Sequence, residues 1–286
     1  MPDIILHHYT TSPFAEKIRA IMGYKNLAWK SVYQPMIMPK PDLQSLTGGY
    51  RRIPVLQIGN QIVCDTMLIC DALEHLSPEK TLYPQGQNGL ARTVAQWADQ
   101  QLFPVAMAFN FQPAGAAHVF KDQPPENLKA FVADRQAMRG GAPRMHFADA
   151  AASYKSYLRR ISNMLDGQNF LLGAAPSVAD FAVYHPLWFT RNIVSPLANV
   201  LDATPNILAW MDRMAAFGHG QVSKSNATES IALCAESVPA SSLFGTENTF
   251  QDEHGIALGS QVTITADSFG PEPTVGELVA ATRTRY

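Results

Sequence analysis

The sequence has little charge and no long hydrophobic run. Charged residues make up 16% of its 286 residues, and 22 Lys and Arg against 24 Asp and Glu leave a net charge of −2. Basic residues cluster only in pairs such as Arg51-Arg52, so we expect no nucleic-acid partner. No apolar run approaches the ~20 residues of a membrane helix. The N-terminus lacks the basic and apolar regions of a secretory signal, and we expect no membrane association.

Cysteine is also scarce, and the signatures of several other chemistries are missing. The chain has three cysteines, Cys64, Cys70 and Cys234, and none of them forms a C-x-x-C pair. This usage is typical of a reducing cytoplasm. The histidines have no ligand-type spacing with the cysteines, so we expect no metal. There is no glycine-rich phosphate loop and no G-x-S-x-G nucleophile elbow.

The first 80 residues contain strong alternating strand and helix signals. Apolar residues with strand spacing occur at 4–6, 32–33, 55–58 and 61–64, and the last two runs are separated by Gly59-Asn60, which indicates a hairpin. Helical spacing follows Ser12-Pro13 and resumes at Thr66. Residues 35–49 are rich in Pro, Gly and polar side chains and are interpreted as a loop. The order β-α-β, loop, β-β-α is that of a thioredoxin-like domain.

Beyond a polar linker at residues 75–89, the strand signals stop and helical spacing dominates. Residues 110–125 are interpreted as a long loop between helices, and helical spacing ends near residue 220. Strand-like alternation returns at 261–265 and 275–279. We therefore predict an α/β thioredoxin-like domain over residues 1–80 and an all-α domain over 88–220. A small β-rich extension without an assigned role would cover residues 221–286.

Three motifs carry a resemblance to a known family over roughly residues 3–217. They are the segment from Tyr9 to Arg19 that contains Ser12-Pro13-Phe14, the run Arg52-Ile53-Pro54-Val55-Leu56, and Asp65-Thr66. Together they resemble the glutathione-binding half of a glutathione S-transferase, of a bacterial type with serine at the catalytic position. The segment 170–180 resembles the same family's Gly-x-x-x-Ser/Thr-x-Ala-Asp element, in which Ser177 and Asp180 have capping-box spacing.

The resemblance implies that Ile53, Pro54, Asp65 and Thr66 bind glutathione. In this family the proline is cis, and the backbone N–H and C=O of the residue before it pair with the cysteinyl unit, as in strand-like peptide recognition. Asp65-Thr66 would begin a helix whose N-terminus receives the γ-glutamyl carboxylate. An ordinary trans proline and simple helix capping are the alternatives at these two sites.

The glycine end of glutathione has weaker candidates. Lys40 lies in a Pro-Lys-Pro-Asp segment similar to one with which related members reach the glycine carboxylate, although it also fits a solvated loop. Arg52 and Arg51 are further candidates for that carboxylate. The family's Asn-Pro-x-Gly element is missing, and residues 47–50 replace it with Thr-Gly-Gly-Tyr.

The catalytic position of the family aligns best with Ser12, and Thr11 is the next candidate. The Ser12 hydroxyl would donate a hydrogen bond to the glutathione sulfur and so favour the thiolate. Each unit of pKa lowering needs ~1.4 kcal/mol, and a hydrogen bond to a charged acceptor contributes ~1.5–3 kcal/mol. Ser12 equally suits the N-cap of the helix that begins at Pro13. No cysteine occupies this position, which argues against mixed-disulfide chemistry.

The resemblance further implies an apolar acceptor pocket between the domains. Aromatic residues at helical spacing are also typical of a core, so the pocket candidates stay open; they are Phe14, Met107, Phe109, Phe111 and Trp188. The leading hypothesis is a cytoplasmic, homodimeric detoxification enzyme that activates glutathione for attack on a small hydrophobic electrophile. The alternatives are a non-catalytic ligand-binding or protein-interaction module, and a thiol reductase that uses an exposed Cys64.

Overall fold

The first domain alternates strands and helices in the predicted order. The computed structural model describes residues 3–143, 145–237, 254–266 and 269–281. The elements of this part are β1 Ile4–His8, α1 Pro13–Tyr24, β2 Ala28–Tyr33, α2 Pro41–Thr47, β3 Val55–Ile58, β4 Gln61–Val63 and α3 Thr66–Leu76.

These strands form one sheet in the order β4-β3-β1-β2, and a later strand adds to its β2 edge. β1 lies in the centre with every residue buried. It runs parallel to β2, with Leu6 opposite Ser31, and antiparallel to β3, with Leu6 opposite Leu56. The predicted thioredoxin-like domain is confirmed.

Helix α2 lies inside the segment that the sequence indicates as a loop. Pro41 occupies its first turn, where the missing N–H costs nothing. The helix ends at Gly48, whose φ of 67° lies in the left-handed region that favours glycine. It buries only Leu43, so its seven residues carry almost no apolar period that a sequence pattern can detect.

The second part is helical, as predicted. Its helices are α4 Asn88–Trp97, α5 Phe103–Asn110, α6 Pro113–Val119, α7 Pro125–Arg139, α8 Phe147–Met164, α9 Val178–Trp188 and α10 Pro205–Ala215. A π-helical turn, Ala98–Leu102, joins α4 to α5. The short α6 occupies part of the predicted loop at 110–125. No described helix has the length and apolarity needed to cross a membrane.

The capping box predicted from Ser177 and Asp180 is present at the start of α9. The buried Asp180 carboxylate accepts hydrogen bonds from the backbone N–H of Ser177 at 2.9 Å and of Leu171 at 2.8 Å. It also accepts from the indole N–H of Trp210 at 3.0 Å. One side chain thus fixes the entry to α9 and joins it to α10.

After α10 the chain returns to the first sheet. Strand β5, Gln221–Lys224, pairs in parallel with β2, and helix α11, Ala227–Glu236, follows it. Strands β6, Gln261–Ile264, and β7, Thr274–Glu277, then form a separate antiparallel hairpin. The predicted C-terminal strands are confirmed, but β5 joins the first sheet and α11 packs against α2 and β2. The domain limits at 80, 88 and 220 stay a prediction.

Candidate functional site

The strand register brings three chain segments together at one end of the strands of the first sheet. His7, next to the end of β1, lies opposite Val55, and Leu56 lies opposite Val63. Continuing this register places the loop after β1, the Ile53-Pro54 segment and the start of α3 side by side. The predicted catalytic and glutathione-binding residues of these segments therefore lie together at this end of the strands.

Ser12 caps helix α1. Its backbone is extended (φ −73°, ψ 120°), and its Oγ accepts a hydrogen bond from the backbone N–H of Ala15 at 3.2 Å. Ser12 is 2% exposed, whereas Thr11 is exposed. The cap uses a lone pair of Oγ, so the hydroxyl proton can still be donated to another acceptor. Capping and donation to a ligand are compatible at this residue.

A buried arginine fixes the loop before Ser12. Arg19 donates to the backbone carbonyl of Thr10 at 2.8 Å and to the Glu16 carboxylate at 2.7 Å. It also donates to Nδ1 of His8 at 3.0 Å, while Nε2 of His8 lies 2.8 Å from the hydroxyl of Ser31. Burial and the Arg19 charge lower the pKa of His8 to about 4. Sequence reasoning missed Arg19; its signal was a charged pair, Glu16 and Arg19, one turn apart.

The Ile53–Pro54 peptide bond is cis, as the resemblance implies. Pro54 is buried and Ile53 is partly exposed. Within the described part of the chain, neither the amide nor the carbonyl of Ile53 takes part in a backbone hydrogen bond. Ile53 therefore presents an unpaired backbone edge beside the loop that holds Ser12.

The start of α3 combines a cap with a hydroxyl. Asp65, with φ of 74°, caps the helix by accepting from the backbone N–H of Met67 at 2.9 Å, and it is exposed. Thr66 is 8% exposed, and its hydroxyl oxygen accepts from the ammonium of Lys17 at 3.3 Å. Because Thr66 accepts from a cation, its own proton is available to an anion at the helix N-terminus.

Lys17 is the second residue that sequence reasoning missed. Its ammonium is fully buried and lies 2.6 Å from the Asp99 carboxylate in the π-helical turn. Burial opposes its charge, but the attraction of Asp99 keeps the pKa of Lys17 above the usual range. The other Asp99 oxygen lies 3.0 Å from Nε2 of His185 on α9. The sequence carries no local sign that this helical lysine is buried against a distant carboxylate.

Lys40 does not project into solvent. It is 4% exposed, and its ammonium donates to the backbone carbonyl of Arg51 at 3.1 Å. Burial and the nearby charges of Arg135 and Arg51 lower its pKa to about 8. Arg51 itself forms ion pairs with Asp134 and Glu272. No local sequence pattern indicates this cluster, because its members are separated by up to 221 positions.

Arg52 stands next to that cluster. Its guanidinium carbon lies 4.9 Å from the ring centre of Tyr50. Its Nε atom is buried and has no hydrogen-bond partner within the described residues. Arg51 is paired with two carboxylates, whereas no carboxylate of the described chain forms a hydrogen bond with Arg52.

The five acceptor-pocket candidates do not share one environment. The ring of Phe14 lies 4.5 Å from Phe103 and 4.6 Å from His185, and Trp188 lies beneath Arg19. Helices α1 and α9 thus meet through Phe14 and His185 and through Arg19 and Trp188. Phe109 is 8% exposed and packs on Tyr154 inside the helical core.

The remaining two pocket candidates lie at the end of α5. Phe111 stacks on Phe131, which belongs to α7. Met107 is partly buried against the hydrophobic core.

The cysteines of the first domain are poorly suited to nucleophilic chemistry. Burial raises the pKa of Cys64 to about 12, and burial likewise raises the pKa of Cys70 to about 12. The thiolate is the reactive form, and it is scarce at these values. Within the described ranges, no group of three His, Cys, Asp or Glu residues is placed to hold a metal ion.

Comparison with known proteins gives matches over both parts of the chain. Residues 6–81 match the model of the glutathione S-transferase N-terminal domain, and residues 144–213 match that of the C-terminal domain. A crystal structure of a GST-like protein from Pseudomonas syringae is 38% identical, with a TM-score of 0.78, over 99% of this chain and 90% of that chain.

More distant matches share the fold. A theta class glutathione S-transferase from Xanthomonas axonopodis pv. citri, solved with glutathione bound, is 17% identical with a TM-score of 0.57 over 77% of this chain and 98% of that chain. Glutathione S-transferase U4 of Arabidopsis thaliana is 23% identical over 106 residues, 36% of this chain. That match spans 47%, about half, of the plant protein's length.

Proposed function

The chain belongs to the glutathione S-transferase family, and from this premise we propose that it binds glutathione, ionises its thiol and directs the thiolate at a small hydrophobic electrophile. The observation that carries the proposal is the convergence of three groups at one end of the strands of the first sheet. These groups are the Ser12 hydroxyl, the unpaired backbone of Ile53 and the N-terminus of α3 at Thr66.

Recognition of glutathione uses its backbone and its γ-glutamyl end. The free N–H and C=O of Ile53 pair with the cysteinyl unit in the manner of an added strand. The γ-glutamyl carboxylate binds at the N-terminus of α3, where unpaired backbone N–H groups and the helix dipole favour an anion. Thr66 donates its proton to that carboxylate, and the Asp65 carboxylate lies within the same turn for the ammonium group.

Activation of the thiol is assigned to Ser12. A hydrogen bond from its hydroxyl to the sulfur contributes ~1.5–3 kcal/mol in favour of the thiolate, and the α1 dipole adds up to ~1 kcal/mol. At ~1.4 kcal/mol per unit, these contributions lower the thiol pKa by one to two units. Thr11 is the alternative donor, but its side chain is exposed, whereas Ser12 is held in place by its cap.

The electrophile is proposed to bind against α1 and α9, where Phe14, two residues after Ser12, and Trp188 lie in the contact between the two helices. An apolar lining suits a hydrophobic acceptor. The homodimeric state, the cytoplasmic location and a role in detoxification are proposed from the family alone. The glycine end of glutathione is assigned to Arg51 and Arg52, with Lys40 holding the backbone of Arg51 in place.

Calorimetry and kinetics together test this function. Glutathione should bind the purified full chain, and turnover of a model aryl halide should fall on Ser12→Ala while glutathione binding is retained. Ser12→Thr is the matched control, since it keeps a hydroxyl that can cap and donate. Binding without turnover in the unmutated protein would favour the non-catalytic module. An absence of glutathione binding would contradict the proposal.

A further inference from the structure

A segment near the C-terminus contacts the loop that carries Arg51 and Arg52, the two arginines assigned to the glycine end of glutathione. We name residues 269–277 the C-terminal strap. The backbone N–H of Gly270 donates to the carbonyl of Met138 on α7 at 2.7 Å. A methyl group at Gly270 would lie 3.3 Å from Cδ of Arg52, and one at Gly49 would lie 3.0 Å from the carbonyl oxygen of Pro273. The strap thus contacts both the helical part and the loop before Ile53.

Arg51 is the centre of this junction. One nitrogen donates to Asp134 of α7, and Nη1 donates to Oε1 of Glu272 in the strap at 2.7 Å. The Arg51 side chain is 8% exposed and Asp134 is 9% exposed, but Glu272 is 37% exposed. Of the two carboxylates on Arg51, Glu272 is therefore the one that can exchange with a ligand from solution.

Three polar atoms of the junction are buried and unpaired among the described residues. They are Nε of Arg51, Nε of Arg52 and Oε2 of Glu272. Buried polar atoms normally have a partner, and two unpaired guanidinium donors favour an anion. The donors belong to the two residues that directly precede Ile53 in the chain.

We propose that Glu272 competes with the glycine carboxylate of glutathione for Arg51. This proposal rests on the proposed function. Glu272 is then a specificity-determining residue. By neutralising Arg51 it reduces the advantage of a ligand with a free C-terminal carboxylate over one with a neutral end.

The ion pair between Arg51 and Glu272 is weak enough for a ligand carboxylate to replace Glu272. An ion pair with one partly exposed partner is weak, because water solvates the carboxylate when it is released. The strap includes β7, one of the two strands of a hairpin, and a two-stranded hairpin is only marginally stable alone. Displacing Glu272 therefore costs little, and a ligand carboxylate held by both arginines can replace it.

Calorimetric titration of the full chain with two ligands tests the proposal. The ligands are glutathione and the ester of glutathione in which the glycine carboxylate is blocked. Glu272→Gln should bind glutathione about three- to five-fold more tightly than the unmutated protein, as expected for a partly exposed ion pair. Its affinity for the ester should not change. Glu277→Gln, on the exposed part of the same hairpin, makes the same change in net charge and should match the unmutated protein with both ligands.

Equal affinities, weaker binding of glutathione to Glu272→Gln, or the same gain for the ester would overturn the competition. If neither protein bound glutathione, the proposed function would fail as well, and the two failures are thus distinguishable. Hydrogen exchange in the unmutated protein is an independent readout, since the Gly270 amide should exchange faster when glutathione, but not the ester, is bound. Unchanged exchange with bound glutathione would also contradict the proposal.

Discussion

The ammonium of Lys17 on α1 lies 2.6 Å from the carboxylate of Asp99, in the turn between α4 and α5. Lys17 is fully buried, and Asp99 is 14% exposed. The same ammonium donates to the hydroxyl of Thr66 at the start of α3. One buried cation thus joins the two parts of the fold and orients a side chain of the proposed glutathione site.

Lys17→Met should strongly destabilise the protein. The substitution leaves the Asp99 carboxylate without its cation, and breaking a buried pair from one side costs ~3–5 kcal/mol. Urea unfolding at neutral pH measures the change. Lys30→Met is the matched control, because Lys30 pairs with Asp3 on the surface and such pairs contribute ~0–1 kcal/mol. Equal losses for the two variants would contradict the account of Lys17.

The stability of the fold should depend on pH through His8. Its pKa is lowered from 6.5 to about 4, so the unfolded chain takes up a proton at a higher pH than the folded one. The contribution of His8 to the free energy of unfolding is complete above its pKa in the unfolded chain. It is lost as pH falls towards its pKa in the folded protein. Between pH 7 and pH 5, we expect a loss of ~2 kcal/mol from this residue.

Urea unfolding of the unmutated protein and of His8→Gln at both pH values measures that loss. The variant should show a flatter pH dependence, because glutamine has no proton to gain. The lowered pKa values of His7 and His185 act in the same direction and remain in both proteins. An equal pH dependence in the two proteins would refute the role of His8.

Cys64 should react slowly with an alkylating reagent in the folded protein. Burial raises its pKa to about 12, so only ~0.01% is thiolate at pH 8, against about a quarter for a free thiol. Mass spectrometry after iodoacetamide treatment measures the rate at this residue. The urea-unfolded chain is the control and should be modified rapidly. Rapid modification in the folded state would revive the thiol-reductase alternative.

The predictability of the fold follows from which signals are local. The hairpin around Gly59-Asn60, the helix start at Ser12-Pro13 and the capping box at Ser177 each lie within a few residues, and all three are present in the structure. Helix α2 and strand β5 were missed. The first buries one residue, and the second is exposed and gains its partners from β2, far earlier in the chain.

The residues of the candidate site show the same difference between local and distant signals. Ser12, Ile53 and Thr66 could be proposed from the sequence because each lies in a short motif. Lys17 and Arg51 were not assigned their contacts, because their partners are 82 and up to 221 positions away. A charged residue in a helix or loop carries no local sign that a distant carboxylate will bury it.

The ionisation of bound glutathione tests the central claim most directly. The ultraviolet absorbance of the thiolate, recorded against pH for glutathione bound to the unmutated protein, to Ser12→Ala and to Ser12→Thr, gives the pKa of the thiol in each. We predict a pKa one to two units below the free value of ~8.5 in the unmutated protein and in Ser12→Thr, and a rise of ~1 unit or more in Ser12→Ala. A bound thiol that ionises near the free value, or a lowered pKa that survives Ser12→Ala, would contradict the assignment of Ser12 as the catalytic donor.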